Sequence, residues 1–180
     1  RAKKVAKSLS VAPGIERTEF GANMGAMVSD GQRDRALGMI ARAEEQGARI
    51  AAGGRKPNRP GAFLEPTVLS GVTPDMDIAQ QEVFGPVLSV LSFREDAQAI
   101  EIANGTAYGL VAGVFTADLD RATLAARQLR AGQVFVNEWY AGGVETPFGG
   151  YGKSGYGREK GREALWNYVQ TKNIAIRLKG

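Results

Sequence analysis

The 180-residue sequence contains no cysteine and no histidine. Without a thiol the chain builds no disulfide, zinc–thiolate site, iron–sulfur cluster or sulfur nucleophile of its own, and its redox compartment is not legible. Without an imidazole it lacks the commonest general base and metal ligand, so Ser-His-Asp and Cys-His machinery are both excluded. Long apolar runs are missing too, since none approaches the roughly 20 residues that span a bilayer. The Lys-rich start, Arg1 to Lys7, has no apolar stretch of the secretory type. These absences point to a soluble, cytoplasmic protein with no metal site and no membrane partner.

What is present suits a folded domain. Apolar residues make up 43% of the chain, and its length lies in the range of roughly 100–200 residues that holds one core. The net charge is +4, and from Gly152 onward seven cations face two acids, so the whole excess sits at the C-terminal end. Those cations are interleaved with Glu, Trp, Tyr and Ile rather than clustered, the pattern of a solvated face and not of a nucleic-acid contact. Arg1 to Leu9 reads as a basic amphipathic helix, with Val5 and Leu9 four apart and no capping residue before it. The expectation is a chain that begins inside a helix, as a fragment of a longer protein does.

Local signals then place the elements. Val11 to Gly31, with Pro13 and Gly14, Gly21 and Gly25, reads as a loop. Ser29 and Gln32 have capping-box spacing, a helix follows through Ala36, Leu37, Ile40 and Ala43, and Gly47 is its stop. Gly53 to Gly61 is an exposed turn, and Phe63–Leu69, interrupted by Pro66, is a short or edge strand. Val87–Phe93, Val111–Thr116 and Val134–Asn137 read as strands. Between them lie a helix capped by Asp96 through Ile100 and Ala103, and one capped by Asp118 through Ala122, Ala125 and Leu129 and stopped by Gly132. This alternation predicts an α/β fold, a mostly parallel sheet with right-handed βαβ crossovers.

Gly142 to Gly157 holds seven glycines and Pro147 in 16 residues, a composition found in functional or disordered loops. A last helix is expected over Arg158 to Val169. Thr171–Leu178 then alternates Ile174, Ile176 and Leu178 with Asn173, Ala175 and Arg177, the period of a half-buried strand that needs a sheet edge, supplied by a partner if none is free. Two phosphate motifs fail. Gly150, Gly152 and Gly155 match G-x-G-x-x-G, yet the preceding strand ends at Asn137 and no acidic residue follows about twenty positions on. Gly152, Lys153 and Ser154 mimic the end of a P-loop whose first glycine would be Pro147.

Four strings, in order, resemble the aldehyde dehydrogenase superfamily. Gln81-Glu82-Val83-Phe84-Gly85-Pro86-Val87 resembles its glutamate-phenylalanine-glycine-proline motif. Asn104 to Gly109 with Val111–Thr116, and Gly132 to Asn137, are similar to two further stretches. Pro147 through Ser154 and Gly155, continuing to Gly157, Arg158 and Glu159, resembles the glycine-rich signature of its C-terminal part. One position departs: many relatives carry lysine directly after the signature tyrosine, where this chain has Gly152 and then Lys153.

The resemblance implies a catalytic domain of that kind, truncated at its N-terminus: residues 1–170 as partial catalytic domain, 171–180 as an oligomerisation strand, and no dinucleotide-binding domain. It implies oxidation of a small aldehyde to a carboxylic acid with NAD or NADP. A cysteine thiolate attacks the aldehyde, hydride passes to the nicotinamide, and a glutamate-activated water releases the acid. Neither that cysteine nor that glutamate is among the residues matched here, so this chain alone is expected to be inactive and to bind cofactor weakly, its partner being the missing N-terminal portion. Glu82 matches the glutamate that binds the nicotinamide-side ribose, and Phe84 an aromatic beside the nicotinamide. Phe148 matches a wall of the substrate tunnel. The loop Glu138 to Thr146 varies with substrate, which makes Trp139 and Tyr140 tunnel-lining candidates and Glu145 a contact for a cationic or hydroxylated aldehyde. Read without the resemblance, Glu82 ends a loop before Pro86, Phe84 is equally a core residue, and the loop aromatics serve packing as readily as recognition. The family forms dimers and tetramers through its last strand, here Thr171–Leu178. A non-catalytic oligomerisation or interaction module is the alternative.

Overall fold

In the computed structural model, which describes residues 1–14 and 23–178, the chain divides into two units, Arg1–Ala99 and Ile100–Gly180. In the first, helix α1 (Ala2–Ser8) has no side-chain cap. Strand β1 (Ser10–Val11) pairs in parallel with β2 (Asn23–Met24), so part of the expected loop is a short ladder. The rest of that expected loop, residues 15–22, lies outside the described residues.

Helix α2 (Asp30–Glu45) starts where the sequence places it. Ser29 is extended and its hydroxyl accepts from the Gln32 amide at 3.1 Å, and Asp30 sets a negative charge in the first turn, against the positive end of the helix dipole. Ala36, Met39, Ile40 and Ala43 recur at helical spacing and are buried. Gly47, at φ +107°, reverses the chain after the last turn. Arg33 is buried on the same helix, between Asp30 and Asp34 and donating to the Gly61 carbonyl at 3.2 Å. The Asp34 hydrogen bond first, and the nearby carboxylate charges as well, raise its pKa above the ordinary arginine value. Its charge therefore persists at every practical pH.

Strand β3 (Arg49–Ala52), absent from the sequence reading, runs antiparallel to β4 (Thr67–Ser70), and β4 runs parallel to β5 (Val87–Val90). Four residues are too few to show a period. The expected strand at Phe63 begins only at Thr67, because Pro66 has no N–H for a ladder. It is short but central, not an edge, and Leu69 at its middle is fully buried. Helix α3 (Asp77–Gln80) follows. Met39, Ile40, Leu64 and Leu69 are the largest fully buried side chains, joined by Val72, Met76 and Ile78.

Helix α4 (Asp96–Asn104) starts one residue earlier than expected. The Ala99 amide donates to the Glu95 carbonyl, so Asp96 lies in the first turn rather than at the cap. In the second unit, β6 (Val111–Val114), α5 (Leu119–Gln128) and β7 (Gln133–Val136) form the predicted parallel crossover, with Val111 facing Gln133 and Val114 facing Val136. The Asp118 side chain caps α5, accepting from the Arg121 amide at 3.0 Å. The neighbouring expectation of a second crossover through α4 is corrected in one respect: the parallel partner of β5 is β4. The fold is α/β, built from small sheets.

The C-terminal helix expected from Arg158 is not there. Glu159 is instead locked to Phe148 in an antiparallel bridge, each amide donating to the other's carbonyl at 2.7 Å. Lys160 and Gly161 then take left-handed backbone, at φ +57° and +59°, which no α-helix tolerates. What remains is a 3-10 helix over Arg162–Tyr168. Residues 171–178 are exposed and carry no ladder, so the alternating pattern meets no sheet edge among the described residues.

Candidate functional site

In the first unit the segment 81–86 links α3 to β5 and carries two of the expected site residues. Its ends are tied down: the Gln81 amide donates to Asp77 at 2.9 Å, and the Thr67 amide to the Pro86 carbonyl at 2.8 Å. Its middle is held by α2. The Gln32 side-chain amide donates to the carbonyls of Val83 and Phe84 at 3.0 and 3.1 Å, and Arg35 Nη1 to those of Glu82 and Val83, both at 3.2 Å. The expected capping box is thus only half formed, because the Gln32 side chain is spent on this segment rather than on the helix start. Gly85 presses against the same helix face, where an added Cβ would come within 3.2 Å of Met27 Cε and 3.5 Å of the Ala36 Cβ.

The clamp forces an unusual shape. Phe84 sits at φ +52°, left-handed backbone that costs a bulky residue on the order of 1–3 kcal/mol. Phe84 is 71% exposed and is not part of the core of the first unit. Glu82 is exposed beside it. A carboxylate accepts from two neighbouring hydroxyls at once, and an aromatic face held in the open suits a planar heteroaromatic ring.

In the second unit, Trp139 and Tyr140 both lean on the buried Phe135, with ring centroids 5.8 and 6.4 Å away. Tyr140 is left-handed at φ +72°, and the Trp139 ring covers Gly113 so closely that a Cβ there would lie 2.9 Å from it. Phe148 is half-buried in the bridge to Glu159, with Lys160 Nζ 5.7 Å from its ring centroid. Glu145 is exposed and lies against Gly143, whose amide donates to Thr146 Oγ1 at 3.1 Å. An open groove of about 610 Å³ runs along Gln133, Phe135, Gly142, Thr146, Pro147 and Arg158; none of Trp139, Tyr140, Glu145 or Phe148 lines it.

The glycine-rich segment is ordered by close backbone approach. Gly109 O accepts from the amides of Gly132 and Tyr151, both at 3.0 Å, and Lys153 N donates to Ala107 O at 2.9 Å. Arg158 donates to the carbonyls of Gly150 and Gly157 at 3.0 and 2.8 Å and lies 5.4 Å from the Tyr151 ring centroid. Gly152–Ser154 is a single 3-10 turn, not a phosphate cradle opening a helix. Two asparagines bridge backbone in the same unit. Asn137 pairs both ways with the Thr116 backbone at 2.8 Å, and Asn104 joins Gln128 O to Arg130 N at 2.9 and 2.7 Å.

The sequence profile of the aldehyde dehydrogenase family matches residues 1–174. This chain belongs to that family. An aldehyde dehydrogenase of Alternaria alternata is 47% identical over 154 residues, 86% of this chain and 31% of the relative. A betaine aldehyde dehydrogenase of Cereibacter sphaeroides is 45% identical over 153 residues, 85% of this chain and 32% of the relative. Among solved structures, an NAD+ complex of aldehyde dehydrogenase from Bacillus cereus superposes with a TM-score of 0.89 at 40% identity, covering 98% of this chain and 35% of that one. The chain thus spans about a third of the length of the relatives it matches. Among the described residues no helix is long and apolar enough to cross a membrane.

Gln32, Arg35 and Arg158 were not among the site residues expected from the sequence. Gln32 and Arg35 reach carbonyls about fifty positions away, which no local pattern encodes. Arg158 had a visible signal, as the arginine that ends the glycine-rich signature.

Proposed function

We propose that these 180 residues serve an NAD- or NADP-dependent aldehyde dehydrogenase, as the part that presents one wall of the cofactor site and the substrate-side loop. The observation that carries this reading is Phe84, an exposed aromatic held on left-handed backbone next to the exposed Glu82 carboxylate. Glu82 accepts hydrogen bonds from the hydroxyls of the nicotinamide-side ribose, and Phe84 flanks the ring and limits its swing. The bound dinucleotide supplies a hydride acceptor. Trp139, Tyr140 and Phe148 offer apolar surface to the aldehyde, and Glu145 favours a cationic or hydroxylated one. With no cysteine in the chain, the thiolate nucleophile comes from outside these residues. On this reading residues 1–170 belong to the catalytic domain, and 171–180 form the strand by which copies associate.

In the enzyme that carries this sequence, Glu82→Gln raises the Kd for NAD or NADP severalfold, read by calorimetry. An unchanged affinity overturns the reading. The 180-residue chain by itself forms no reduced cofactor from any aldehyde; turnover by it would do the same. A second reading, a non-catalytic interaction module, is favoured by one feature: Leu165, Trp166, Tyr168, Ile174, Ile176 and Leu178 are all exposed. Ile174→Asp with Ile176→Asp abolishes self-association on either reading and leaves the rest folded; cofactor binding by the enzyme that carries this sequence, expected on the first reading and absent on the second, separates the two.

A further inference from the structure

We infer that Gly113 is a specificity-determining position for the aldehyde: by lacking a side chain it leaves the notch in which the Trp139 ring is seated. This goes beyond the proposed function and rests on the place given there to Trp139 beside the aldehyde. Gly113 and Phe135 are partners across the β6–β7 ladder, so their side-chain positions fall next to one another on one face of the pair. Phe135 fills its position and Gly113 does not. The Trp139 ring takes up the gap: a Cβ at Gly113 would lie 2.9 Å from its Cζ3 and 3.1 Å from its Cε3, and its centroid is 5.8 Å from that of Phe135.

The chain is brought there by Asn137. It takes left-handed backbone at φ +56° directly after β7, and its side chain donates to the Thr116 carbonyl and accepts from the Thr116 amide, both at 2.8 Å. The strand end is thereby turned, and Trp139, two residues on, reaches back to the middle of β6. Phe115 bounds the notch as well, since the same added Cβ would lie 3.5 Å from its Cε2. Nothing in the backbone asks for glycine at 113, which sits inside β6 and is not left-handed. A glycine weakens a strand and is found where something approaches closely; here the approaching group is an indole. Trp139 is 58% exposed, so the ring has an open side to move to. A side chain at 113 therefore displaces the ring outward rather than the strand, and narrows the surface that the loop offers to an aldehyde.

The test uses the enzyme that carries this sequence, with Gly113→Val, Trp139→Leu and the double variant. Two quantities are read: the KM of benzaldehyde relative to that of acetaldehyde, and the Trp139 fluorescence, taken as the difference between each protein and its Trp139→Leu counterpart. Gly113→Val moves the Trp139 emission to longer wavelength and raises the KM ratio about tenfold, the low end of what one misplaced hydrocarbon group costs in a fitted pocket, with the change falling on KM and not on kcat. Gly113→Ala, whose Cβ already meets the ring, moves both readings the same way by less. In the Trp139→Leu background the substitution at 113 leaves the ratio where it was. An unshifted emission overturns the seat. A shifted emission with an unchanged ratio overturns the specificity role, as does a ratio that rises equally without the Trp139 ring. Trp139→Leu alone then shows where the failure lies. If it changes the ratio, Trp139 borders the aldehyde and only the part of Gly113 falls; if it does not, the place of Trp139 beside the aldehyde falls with it.

Discussion

Gly132 and Gly149 touch backbone to backbone: a Cβ built on Gly132 would lie 1.7 Å from the carbonyl oxygen of Gly149. Gly149 is pressed in turn against Gly157, whose carbonyl oxygen lies 2.2 Å from where a Gly149 Cβ would be. Gly132 therefore does not stop α5, which already ends at Gln128; it lets the glycine-rich segment lie across the entry to β7. Overpacking against backbone leaves no flexible side chain to yield, so Gly132→Ala destabilises the second unit by about 1–3 kcal/mol or more. Denaturant unfolding of the variant checks this.

Asn137, directly after β7, sits at φ +56° and pairs both ways with the Thr116 backbone. Two properties of asparagine are used there, its tolerance of left-handed backbone and its amide. Asn137→Gly keeps the first and loses the second, costing about 1 kcal/mol for exposed hydrogen bonds. Asn137→Ala loses both and costs about 1 kcal/mol more. The order of the two melting temperatures is the measurement.

Leu69 is fully buried at the centre of β4, with α2 packed into the same core. Leu69→Ala leaves a cavity that close-packed neighbours refill only in part, and lowers stability by about 2–5 kcal/mol. Leu69→Met, which keeps the volume, costs less than about 1.5 kcal/mol. Unfolding curves of the two variants distinguish cavity formation from loss of the leucine shape.

Thr73 Oγ1 donates to Asp75 Oδ1 at 2.5 Å. That bond first, and the backbone amide of Asp75 second, hold the carboxyl below its ordinary value despite a small opposing effect of desolvation. A carboxylate depressed in the folded state adds stability above its unfolded pKa and loses that contribution as the pH falls through the folded one. Thr73→Val therefore moves the Asp75 titration upward. Carboxyl chemical shifts followed by NMR between neutral and strongly acid pH report the change directly.

The legible parts of the fold are those written within one turn of chain. Ser29 and Asp118 each cap a helix by reaching an amide three residues on, and Ala36, Met39, Ile40 and Ala43 show their buried face through spacing alone. Val111–Val114 and Gln133–Val136 could be paired because the helix between them leaves a parallel crossover as the short connection. The sequence reading fails where a residue had two uses open to it. Gln32 fits a capping box and Gly132 fits a helix stop, and each serves a partner far along the chain. Residues 158–169 have a helical pattern, yet Glu159 is claimed by Phe148 and the chain turns left-handed at Lys160.

The sequence by itself determined the α/β class, the starts of α2 and α5, the family and the want of any thiol, because each follows from residue identity and short spacing. Tertiary structure alone decided that Phe84 stands open to solvent on left-handed backbone, that α2 holds its loop, and that the glycines of the last third pack against one another. The physical reason is distance along the chain. A hydrogen bond from Gln32 to Phe84 spans 52 residues, and its formation depends on how the core between them folds, which no local pattern records.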